Sequence, residues 1–256
     1  MKHSFIDQYS DLDSLIHRLD PRTRLIASLA FIIAVVLTPA NNWRVFAFYF
    51  CLISVLLIIS KLPPSYVLKR SLVIFPFVLM VAIFIPFFQE GEVAGSYNIW
   101  LWQVSVTHSG LLILANIVVK AWLCILSLIL LSSTTKIADL LKALSQLGAP
   151  QVLALILSFM YRYIFVLADE VMRMRQARDS RNFGGSRLHQ LKTIGNMIGT
   201  LFIRSYERGE RVYAAMLSRG FDGEVRTLHK LRFRQADACF GVVFCVVVAL
   251  PGVIWW

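Results

Sequence analysis

Charge is scarce in this chain. Only 16% of its 256 residues are Asp, Glu, Lys or Arg, 57% are hydrophobic, and the mean hydropathy is +0.66. Soluble domains carry roughly a quarter of charged residues, so a water-soluble globule is excluded. Acids are the scarcer sign, 15 against 26 Lys and Arg, which leaves a net charge of +11. The four cysteines, Cys51, Cys124, Cys239 and Cys245, all fall inside apolar runs, where a thiol behaves as a small hydrophobe. They offer neither a disulfide framework nor a metal-ligand spacing. The five histidines, His3, His17, His108, His189 and His229, are scattered. No Gly-x-x-x-x-Gly-Lys-Ser/Thr run occurs, so no phosphate loop cradles a nucleotide. The expectation is a chain with no catalytic residues, no metal site and no cofactor.

What is abundant is bilayer-grade apolar sequence. Runs lie at Leu25 to Pro39, Val45 to Ser60, Leu72 to Phe88, Ser109 to Ser132 and Ala236 to Trp256. A spanning helix needs about 20 residues, with a range of roughly 17 to 25. The last two runs are comfortable and the third adequate, while the first two borrow flanking residues. Pro39-Ala40-Asn41-Asn42 between them is turn chemistry. Residues 1 to 24 are mixed-charge and do not read as a cleavable signal peptide. The expected fold is an all-α integral membrane protein of about five transmembrane helices, with a pair of long amphipathic helices before the last span. Its parts are 1–132 (N-terminal segment and spans one to four), 133–236 (a basic helical region) and 237–256 (the last span).

Topology follows from the cations, because Lys and Arg near short loops stay cytoplasmic. Residues 89–108 carry Glu90 and Glu92 and no cation, whereas residues 133–236 hold 17 cations against 8 acids. The N-terminus and the basic region are therefore expected inside a cell (inner) membrane, with Trp255-Trp256 at the outer interface. That asymmetry also accounts for the net charge, so nucleic-acid binding is not expected.

Within the basic region Pro150 opens a helical pattern that runs to about Asp179, and a second runs from about Leu188 to Leu217. The first half of the earlier one is nearly apolar but holds Arg162, which costs roughly 2.5 to 3.5 kcal/mol on insertion. Two helices lying at the inner leaflet are preferred over two extra spans. Each pattern ends on a repeat. Ser180-Arg181-Asn182-Phe183-Gly184-Gly185 and Ser218-Arg219-Gly220-Phe221-Asp222-Gly223 share Ser-Arg-x-Phe-x-Gly at an offset of 38. Asn182 and Gly220 tolerate a left-handed C-cap. An Arg whose helix stops beside it projects into a neighbour, and its planar fork suits carboxylates and carbonyls. Arg204, Glu207, Arg208 and Arg211 add a charged stripe with i,i+4 ion pairs.

These features, with His17-Arg18-Leu19-Asp20-Pro21-Arg22, Ser133-Thr134-Thr135, Tyr161-Arg162-Tyr163, Asp169-Glu170 and Glu210-Arg211-Val212-Tyr213-Ala214-Ala215-Met216, resemble the T components of energy-coupling factor (ECF) transporters, most closely CbiQ. The resemblance covers nearly the whole chain. It implies a non-enzymatic coupling subunit of an ABC-type importer for cobalt, with a nickel or vitamin system as the alternative cargo. It also implies CbiO-like ATPase subunits at the basic helices, a CbiM-like substrate-binding membrane subunit and a small CbiN-like subunit. The family's two Ala-Arg-Gly or Ala-Arg-Ser motifs map onto Ser180, Arg181 and Asn182 and onto Ser218, Arg219 and Gly220. Ser replaces Ala in both, and Asn182 departs in the first. Ala177-Arg178-Asp179 is a competing register, but only the Arg181 register aligns Phe183 with Phe221.

From another class, a lipid-headgroup enzyme would use the same basic face; Asp169-Glu170 is its only candidate pair, and adjacent helical positions point apart. Lys120, a cation within the fourth span, reads as a subunit contact, a structural pairing or a substrate contact. Pro76 and Pro86 are expected to kink the third span.

Overall fold

A computed structural model describes residues 14–39, 42–82, 93–99, 102–181, 186–223 and 234–254. Helix α1, Pro21–Leu37, starts where Asp20 caps it, its carboxylate accepting the Arg22 N–H at 2.9 Å with Pro21 in the first turn. It stops at Thr38, which precedes Pro39 and is extended (φ −63°, ψ 129°), as a residue before proline prefers. Helix α2 is Trp43–Ile59 and α3 is Pro64–Ala82, with Pro76 inside it. Pro86 and Trp255-Trp256 lie outside the described residues.

The cation-free segment expected as a plain loop folds instead into an antiparallel hairpin, β1 Val93–Ile99 and β2 Trp102–Thr107, with Ile99 opposite Trp102. Trp102-Gln103-Val104-Ser105-Val106-Thr107 alternates apolar and polar residues at a period of two, the strand pattern. Then follow α4 (His108–Thr134), α5 (Ile137–Gln146), α6 (Gln151–Ser180), α7 (Arg187–Leu217) and α8 (Gln235–Ile254). The expected helical membrane architecture is present. Among the described residues, Leu112–Thr134, Gln151–Ser180 and Gln235–Gly252 are long and apolar enough to cross a bilayer, and Trp43–Ile59 is a shorter apolar helix.

The chain divides into two compact units, one from the described parts of Ser4–Leu140 and Leu231–Trp256 and the other from those of Leu141–Lys230. In the first, α1 packs on α4 and α8, and α4 also packs on α2 and α3. Four-residue spacing selects the inner faces: Ala27, Phe31 and Val35 on α1, and Val45, Tyr49 and Ile53 on α2. They meet Leu123, Leu126 and Ile129 of α4 and Phe244 and Val248 of α8. Lipid is as apolar as the helices, so association rests on close packing and polar ties. Phe31 and Tyr49 meet edge to face at 5.6 Å, and the Tyr49 hydroxyl donates to the Val248 carbonyl at 3.1 Å. Outward faces, including Ile33, Phe50, Ile58 and Phe77, stay exposed, as lipid-facing residues do.

Polar ties close both ends of the α1–α4 pair. At one end the Arg24 guanidinium donates to the Thr134 carbonyl, the last residue of α4, and to the Leu19 carbonyl. At the other, Lys120 Nζ donates to the Val36 carbonyl at 2.9 Å. Asp237 of α8 accepts from its own cap residue, Arg234 N–H, at 2.9 Å and from the Asp20 N–H at 3.0 Å. This one carboxylate joins the starts of α1 and α8, reaching back from the first turn of α8 to the cap N–H.

Candidate functional site

The unit formed by α6 and α7 carries the repeat. A connection of five residues bridges Arg181 and Arg187, and a chain advances at most about 3.6 Å per residue. The start of α7 is thus held beside the end of α6. The helices meet again at Glu170 and Arg204, so α7 runs back along α6 as an antiparallel hairpin. Val171, Met174, Arg178, Ile194, Met197 and Leu201 line the cleft between them.

The two copies of the repeat end their helices alike. The Ser180 hydroxyl donates to the Ala177 carbonyl at 3.0 Å, and the Ser218 hydroxyl donates to the Ala215 carbonyl at 3.0 Å. The Arg181 N–H donates to the Arg178 carbonyl at 3.2 Å, and the Arg219 N–H donates to the Met216 carbonyl at 3.0 Å. These carbonyls belong to the last turn, where no helical donor remains. Each serine hydroxyl folds back onto its own helix, so Ser in place of Ala leaves the outward surface nearly as small.

The second copy closes with a Schellman turn. The Phe221 N–H donates to the Met216 carbonyl at 3.1 Å, and the Gly220 N–H donates to the Leu217 carbonyl at 3.0 Å. Gly220 sits at φ +78°, the left-handed conformation that this turn requires. Phe221 is half-buried, while Ser218, Arg219 and Gly220 are exposed. In the first copy Ser180 and Arg181 are exposed, with Arg181 at φ −87°, ψ 22°. Asn182 and Phe183 lie outside the described residues. Arg178, the competing register, donates through Nε and Nη2 to Asp179 at 3.0 and 2.8 Å. Its side chain is 22% exposed and lines the cleft. That occupied guanidinium supports Arg181 as the projecting residue.

Electrostatics inside this unit centre on Glu170. Its carboxylate accepts from Arg173 at 2.8 Å and from Arg204 at 2.5 Å. Those hydrogen bonds, Arg173 first and Arg204 second, hold its pKa below the ordinary carboxylate range. Of the expected stripe, Arg211 pairs with Glu207 at 3.8 Å, whereas Arg204 reaches across to the other helix. Spacing along α7 gives no sign of that cross-helix partner, so sequence reasoning missed it. Lys120 belongs to the other unit, level with the C-terminal end of α1, and its bond to Val36 supports the structural pairing.

The family described as Cobalt transport protein, CbiQ, matches residues 13–229. A protein named energy-coupling factor transporter transmembrane protein EcfT from Listeria innocua is 31% identical, with 100% of this chain and 98% of that protein covered. Its namesake from Clostridium kluyveri is 30% identical, covering 100% and 99%. An uncharacterized protein of Methanocaldococcus jannaschii is 26% identical over 96% of this chain and 85% of its own. On a match that takes in the N-terminal cap, the α4 end and both copies of the repeat, the chain belongs to the CbiQ family, as a membrane T component of the energy-coupling factor transporters.

Proposed function

We propose that this chain passes the motion of an ABC-type ATPase pair to a separate substrate-binding membrane subunit, with the Arg181 and Arg219 ends as the two ATPase contacts. The observation that carries this is the duplicated helix end. Two exposed arginines stand on last turns that share the same serine and backbone hydrogen bonds. One motif used twice suits two copies of one partner. A guanidinium pre-aimed by its helix loses less freedom on docking than one on a loop.

The α6–α7 unit lies at the cytoplasmic side, with the N-terminus also inside. The cation count supports this orientation. The apolar first half of α6, with Leu153, Ile156, Met160 and Ile164 exposed, rests along the inner leaflet or against the substrate-binding subunit. The proposed cargo is Co²⁺, on the description of the matched family. The relatives' names carry no cargo, so uptake of Co²⁺ against Ni²⁺ decides that point.

Copurification with the ATPase in mild detergent tests the docking reading. Arg181→Glu or Arg219→Glu alone weakens recovery of the ATPase, and the double reversal abolishes both recovery and transport-linked ATP hydrolysis. Retention of both by the double variant overturns the reading.

A further inference from the structure

We propose that Glu170 is the fulcrum on which the two arms of the α6–α7 unit turn against each other, an inference that rests on Arg181 and Arg219 being docking ends. Arg181 lies 11 positions beyond Glu170 on α6, and Arg219 lies 15 beyond Arg204 on α7. At a rise of 1.5 Å per residue these arms are about 16 and 22 Å long. Because the helices are antiparallel, the two ends extend in opposite directions from the crossing. A force that displaces one end therefore turns the other about the crossing point.

Three observations place the fulcrum at Glu170. Its side chain is 17% exposed although both of its arginine partners are more than half exposed, Arg173 at 65% and Arg204 at 57%. One carboxylate oxygen is held by Arg173 of its own helix and the other by Arg204 of the facing helix. The first bond fixes the carboxylate on α6, and the second ties α7 to it through a charge-assisted contact. Beyond this point the helices leave an open cleft of about 310 Å³, lined by Met174, Met197 and Leu201 together with Arg175 and Arg178. Methionine repacks at little cost, so the apolar side of the crossing slides while the ionic side holds. An exposed ion pair adds little to stability, so its removal leaves a folded unit and changes how the arms move together. Glu170 is in these terms a positioning residue.

The test uses the full complex of this chain with its ATPase and substrate-binding subunits in liposomes, and it reads transport per ATP hydrolysed. Glu170→Gln and Arg204→Glu are expected to copurify with the ATPase as the unaltered chain does, while transport per ATP falls about tenfold, within the usual range of a coupling free energy. Combining Glu170→Arg with Arg204→Glu restores the cross-helix pair in reverse and recovers coupling to within about threefold. Full coupling in Glu170→Gln overturns the proposal, as does failure of the reversed pair to recover. Loss of copurification in Glu170→Gln also overturns it, because the residue would then serve docking. Failure of the docking reading shows separately, as retained copurification in the Arg181→Glu, Arg219→Glu double variant.

Discussion

The Asp20 N–H donates to Asp237 Oδ1 at 3.0 Å across 217 positions of sequence. The carboxylate that caps the last membrane helix thereby also holds the residue that caps the first. Asp237 and Asp20 are both buried, so the Asp20 N–H would be left without its acceptor in a region largely closed to water, while Arg234 is exposed. Asp237→Ala is expected to cost roughly 2 to 4 kcal/mol, a lost cap plus an orphaned buried N–H. Asp237→Asn keeps one acceptor oxygen and is expected to cost about half of that. Thermal unfolding of the purified chain in detergent measures both.

Lys120 donates to a carbonyl in the last turn of α1, where the helix dipole is negative. Lys120→Gln is expected to remove roughly 1 kcal/mol and lower the melting temperature by about 2 to 4 °C. Recovery of the partner subunits is expected to be unchanged. A loss of partners without a thermal shift would assign Lys120 to a subunit contact instead.

Gly220 offers a clean test of the second proposed docking end. No atom lies within 4 Å of a Cβ placed there, so the cost of a side chain is conformational and arises from φ +78°. Gly220→Val is expected to cost on the order of 1 to 2 kcal/mol locally, to open the turn that aims Arg219 and to weaken ATPase recovery. Gly220→Asn, which tolerates the left-handed region, is expected to retain most of the recovery.

Acid is expected to release the α6–α7 crossing late. The folded-state pKa of Glu170 is depressed by Arg173 and then Arg204. Its contribution is therefore complete above the ordinary Glu value of about 4.3 and is lost only as pH falls through the lower folded value. Spin labels at Gln176 and Thr200 are expected to report a constant distance from neutral pH to about 5 and to spread below the ordinary Glu value. In Glu170→Gln the transition below that value is expected to vanish.

Much of this architecture is legible in linear sequence because its causes are local. Proline and aspartate at Asp20-Pro21 start α1, Thr38-Pro39 stops it, and Gly220 closes α7, each through the backbone conformations its own residues permit. The repeat is legible for the same reason, since a helix end and its cap span only a few residues. The hairpin at residues 93–107 was not anticipated, although Trp102 to Thr107 alternates clearly. The lack of cations in residues 89–108 marks an outer loop, and that criterion carries no information on a period of two.

The apolar runs, the basic region and the duplicated Ser-Arg ends were determined by sequence alone, because solvation and backbone propensity act on a residue and its near neighbours. Partners far along the chain were decided by tertiary structure: Asp20 with Asp237, Arg24 with Thr134, Lys120 with Val36, Glu170 with Arg204. A polar group withdrawn from water must find a partner, but which partner it finds depends on which helices pack together. That choice belongs to the summed contacts of whole faces, and no local spacing encodes it.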